Sequence, residues 1–106
     1  MTIKNLTPHV LNVYTTNNEV IDIPPDGVVP RCRQFEEPVF WTDGIQITRQ
    51  TYGEVENLPE KEDGVLLVVS RLVAAACPDR KDLLIPGPLV RNEQGQPVGC
   101  KGLSIL

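Results

Sequence analysis

Gly64–Ile85, GVLLVVSRLVAAACPDRKDLLI, is the stretch whose reading decides the fold. Val65–Val69 is the longest run of large aliphatic residues in the chain. It shows no polar alternation, so a strand there must be covered on both faces. Ser70 follows at once and is placed to cap a helix. The alanine-rich run Leu72–Cys77 comes next and is stopped by Pro78. The stretch therefore predicts a buried strand, a tight junction and a helix of about two turns. Asp79–Asp82 reads as a charged turn, after which Leu83-Leu84-Ile85 returns to the core.

Upstream, Val10–Tyr14 and Val20–Ile23 read as a hairpin, with Leu11, Val13, Ile21 and Ile23 inward and Thr15–Asn18 as the turn. Asn5, Thr7 and His9 are read as pinning the N-terminal turn through side-chain hydrogen bonds. Pro24-Pro25-Asp26-Gly27 is a strong turn signal. Val28–Gln34 is a third strand, and Pro30 within it implies an edge position or a late start to pairing. Glu36–Asp43 reads as irregular. Ile45–Val55 is β-branched and aromatic enough for a strand, with Gly53 at its end or at a bulge. Glu54–Asp63 is an acidic loop.

Downstream, Pro86-Gly87-Pro88 is a rigid corner. Leu89–Arg91 and Gln96–Cys100 flank Asn92-Glu93-Gln94-Gly95, which suits a type I turn with a glycine bulge. Gly99 and Gly102 let the last strand bend. The fold class that results is mainly β, a β-rich α+β chain. Six to eight short strands form a small barrel or sandwich with one short helix after Val65–Val69. If the barrel is open, its exposed edge favours a dimer.

At 106 residues the chain reads as a single domain, residues 1–106. Its net charge of −4 argues against bulk nucleic-acid binding, which needs a basic face. Cys32, Cys77 and Cys100 are odd in number and have no CxxC spacing, so neither a disulfide framework nor a metal site is expected. No cofactor motif is present; the glycine spacing excludes a P-loop and a dinucleotide fingerprint. There is no run of membrane-spanning length and no apolar core of signal-peptide length near the start. Cytoplasmic localisation is the expectation.

Ser70 and Arg71 are the most suggestive pair, because a strand that delivers a helix start leaves free amide donors. Arg80 and Arg91 are candidate assistants in a tentative anion site. Arg31 and Arg33 share one sheet face, with Arg49 near them if its strand is adjacent. His9, the only histidine, makes a nucleophile pair in principle with Cys77 or Cys100, while no Ser–His–Asp set here has a supporting motif.

The ordered set Asn5-Leu6-Thr7-Pro8-His9, Val69-Ser70-Arg71, Asp82-Leu83 with Pro86-Gly87, and Val90-Arg91 with Gly99-Cys100 resembles a family of small, mostly uncharacterised proteins of phages, prophages and bacterial genomes. The resemblance spans nearly the whole chain and is carried by the order of the motifs. It implies a mobile-element context, and no activity or catalytic residue. In that context a small protein often binds a host protein or sequesters a nucleotide signal. The expected function is a non-enzymatic interaction module that works as a homo-oligomer. The alternatives are a binder of a nucleotide or other small anion through Ser70, Arg71, Arg80 and Arg91, and a small Cys/His hydrolase or transferase.

Overall fold

The computed structural model describes residues 1–106. In chain order the elements are β1 (Thr2–Asn5), β2 (Leu11–Tyr14), β3 (Val20–Ile23), β4 (Arg31–Thr42), β5 (Ile45–Glu56), β6 (Val65–Val68), α1 (Arg71–Ala76), β7 (Leu83–Pro86), β8 (Leu89–Arg91), β9 (Pro97–Lys101) and β10 (Leu103–Ser104). The chain is mainly β with one short helix, as its sequence requires.

The aliphatic run is central. β6 lies between β1 and β7, parallel to both, and β10 completes the sheet beside β7. Leu67, Val68 and Val69 are buried. Ser70 has extended backbone, and its hydroxyl accepts from the Val73 N–H at 3.3 Å, which caps α1. The helix packs Val73 and Ala74 into a core made with Leu6, Leu67, Val69, Leu83 and Ile85. Each fully buried valine or leucine there contributes roughly 1.5–3 kcal/mol. No helix is long and apolar enough to cross a membrane.

A second sheet has the order β3-β2-β9-β8. The two sheets are joined by a bent ribbon. β7 runs into β8 through Gly87-Pro88, β9 runs into β10 through Gly102, and the two lines stay antiparallel. At the bend Gly87 N–H donates to the Gly102 carbonyl at 3.0 Å, and Lys101 N–H to that of Pro88 at 2.8 Å. The corner read from Pro86-Gly87-Pro88 is this bend. The turn at Asn92 also forms as expected, with Gly95 at φ 79° and its N–H on the Asn92 carbonyl at 2.9 Å.

Asn5 is buried at the end of β1 and uses its whole amide. Its Oδ1 accepts from Thr7 N–H (2.9 Å) and Thr7 Oγ1 (2.6 Å). Its Nδ2 donates to the carbonyls of His9 (2.7 Å) and Ile23 (2.9 Å). The expected N-terminal pin is therefore real, with His9 contributing main chain.

Several readings need correction or extension. There are ten strands, not six to eight, and the sheets do not close into a barrel. Thr2–Asn5 is a strand, held by parallel pairing to residues 63 positions later. Ile21 is half exposed, because β3 is an edge strand. Glu36–Asp43 is not irregular: all but Asp43 of it belongs to β4. That strand and β5 are twelve residues each and pair only with one another. At ~3.3 Å per residue they make an arm about 40 Å long.

Candidate functional site

Three of the four residues expected to hold an anion are committed elsewhere. Ser70 Oγ caps α1. Arg80 grips Asp82 with a fork, Nε to Oδ1 at 2.9 Å and Nη2 to Oδ2 at 2.8 Å, and Nη2 also donates to the Pro59 carbonyl at 2.9 Å. That fork holds the Asp82 carboxyl below the usual carboxylate range and raises Arg80 above its ordinary value. Arg91 Nη1 donates to the Gly95 carbonyl at 2.8 Å and closes its own hairpin turn. Of the four, Arg71 alone keeps an uncommitted guanidinium, and it lines a cleft of about 450 Å³ with Pro86–Pro88 and Ser104–Leu106. α1, at six residues, is too short for a substantial dipole, so Arg71 would act there as a single charge.

The nucleophile candidates have the wrong environments. Cys100 is buried in β9. Burial, and then the Asp79 carboxylate, push the Cys77 thiol up, which disfavours the thiolate. His9 is exposed and contributes its carbonyl to the Asn5 network. Of the strand arginines, Arg31 stands opposite Glu56 and Arg49 opposite Glu37 in the β4–β5 register. Each basic residue of these two pairs therefore meets an acid, so they form no basic face.

What the fold does present is the arm. Asp43 and Gly44, at φ 52° and 77°, make the two-residue turn that joins β4 to β5. Asp-Gly is a strong hairpin signal, and it was the clue available to sequence reasoning. The strand passes Pro38 because a bulge at Val39 sets two β4 residues against one on β5. A second bulge, on β5, contains Gly53.

Cross-strand pairs share a face, so one side of the arm carries Phe35, Phe40, Ile45 and Ile47 around the Glu37/Arg49 pair. The other side carries Trp41 and Tyr52 among glutamines. Four of the chain's five aromatic residues are thus on the arm, all near or above half exposed, at 47–62%. Only the base is anchored, where Cys32 and Val55 pack against the core. No family model, curated protein or solved structure matches the chain, so the reading of this surface rests on its geometry.

Proposed function

We propose that this protein is a non-enzymatic interaction module that works as a homo-oligomer, with the β4–β5 arm as its assembly element. The carrying observation is surface. The chain exposes 7610 Å². A compact monomer of 11.7 kDa exposes about 5,900 Å². The excess of about 1,700 Å² comfortably exceeds the ~800 Å² that each partner gives to a standard interface. The radius of gyration tells the same story, 16.8 Å against about 13 Å for a compact chain of this length.

A large apolar surface on a monomer marks an interaction site. Here it also holds most of the aromatic residues, the types that dominate interface energetics. A single free guanidinium at Arg71 offers much less to an anion. The phage or mobile-element setting is carried by the sequence resemblance alone, and it fits a small protein whose work is done by binding. Sedimentation equilibrium tests the reading. A concentration-dependent assembly is expected in the micromolar range, and a strict monomer there would overturn it.

A further inference from the structure

Resting on that homo-oligomer reading, we infer how the second copy joins: along the outer edge of β5, antiparallel about a twofold axis. The product is a four-stranded sheet with β4 of each copy outermost. The two edges of the arm are unequal. A two-residue turn makes Thr42 and Ile45 the closing hydrogen-bonded pair, so inward and outward pairs then alternate along the arm. Gln46, Thr48 and Gln50 thereby aim their main-chain groups away from β4. Pro38 is Thr48's partner and has no N–H to give. It sits at a non-bonded pair, which puts its ring on the outer edge of β4. With the Val39 bulge beside it, that edge cannot take a regular neighbour.

β5 has no such protection. From Ile45 to Tyr52 it reads IQITRQTY, without proline, glycine or lysine and with one charge, Arg49. Half of these residues are β-branched. An isolated two-stranded hairpin of this kind is marginal in water, whereas four strands with an apolar face are not.

The occupant that fits is a second copy, because a twofold-related β5 is complementary to itself. Centred on Thr48, the pairing sets Thr48 against the second copy's Thr48 and Gln46 against its Gln50. Arg49 then meets the second copy's Ile47, so its aliphatic stem covers that side chain and the two arginines do not face each other. The face bearing Phe35, Phe40, Ile45 and Ile47 becomes continuous across both copies. The blocked β4 edges end this sheet at four strands.

The test uses the full chain. Sedimentation equilibrium is run beside amide hydrogen exchange at low and high protein concentration. A dimer is expected, with exchange slowed by concentration at Gln46, Thr48 and Gln50 and unchanged at the outward-facing β4 amides of Trp41 and Glu36. T48C, with Cys32 and Cys77 replaced by serine, should form an intermolecular disulfide on mild oxidation, since facing strand residues are within disulfide reach. E36C on β4 in the same background should not. A dimer whose new protection lies elsewhere overturns this geometry and leaves the homo-oligomer reading standing. Concentration-dependent protection at the outward-facing β4 amides also overturns it, because the β4 edge would then be open. A monomer at every concentration overturns both.

Discussion

Asp82 shows how much one residue carries here. It is only 3% exposed, and its partner Arg80 is 21% exposed. The fork between them ties the turn after α1 to the Pro59 loop. Removing a partner of such a pair leaves a buried group unsatisfied, at about 3 kcal/mol. D82N keeps one acceptor but loses the charge, so it should lower Tm by about 10 °C at neutral pH. The sign with pH follows from the depressed Asp82 pKa. Stability from the pair is full above the unfolded carboxyl value of about 3.9. It is lost as pH falls from there through the folded value. Thermal unfolding followed by circular dichroism should therefore show the gap between wild type and D82N closing in acid. An equal gap at neutral and strongly acid pH would contradict the assignment. The local half of this site was legible, since Arg80 and Asp82 are two residues apart. Asp82's burial and the Pro59 carbonyl were not, because 21 residues separate Pro59 from Arg80 and only tertiary packing joins them. Ser70 and Asn5 were more legible because most of their bonds reach no further than four residues.

Among the elements, legibility tracks the range of the forces. β6, α1 and the β8–β9 hairpin were plain because an aliphatic run, a cap and an Asn–Gly turn act locally. β1 is Thr-Ile-Lys-Asn, has no alternation of its own, and exists because β6 pairs with it. Of β4, only Arg31–Gln34 lies within the strand read from Val28–Gln34, because the bulge that carries the chain past Pro38 depends on the partner strand. The arm, and with it the candidate interface, therefore went unread although its turn was written in Asp43-Gly44. The parallel pairing of β2 with β9 hides a similar long-range demand at Gly99. A Cβ there would collide with the Asn12 carbonyl oxygen and lie 2.8 Å from the Tyr14 ring. The carbonyl belongs to the β2 backbone and cannot swing away. G99A should therefore separate the two strands, with a loss of roughly 2 kcal/mol or more by analogy with overpacking a core. Chemical denaturation reads that loss directly. A change below ~0.5 kcal/mol, typical of a tolerant surface position, would show that the sheet relaxes around the methyl group.

For the whole molecule, folding and assembly should be hard to separate. Only 13 of 106 residues are buried, and seven of them form the core around β6 and α1. Two twelve-residue strands stand beyond that core with their aromatic side chains in water. A monomer built this way leaves the four aromatic side chains of the arm about half exposed. Contacts that form only between copies must then add to its stability by mass action. Each tenfold rise in concentration favours a dimer by about 1.4 kcal/mol, or roughly 0.7 kcal/mol per chain. For a domain of this size that corresponds to about 3–5 °C in Tm. Over roughly a hundredfold concentration range, Tm should climb by about 6–10 °C. Calorimetry is the suitable readout, because it weights the core and the arm by the enthalpy each absorbs on melting. A single transition that moves with concentration means that the arm and core melt together with the dimer. A Tm fixed across that range would mean that the arm contributes nothing between copies, and its aromatic surface would then need another occupant.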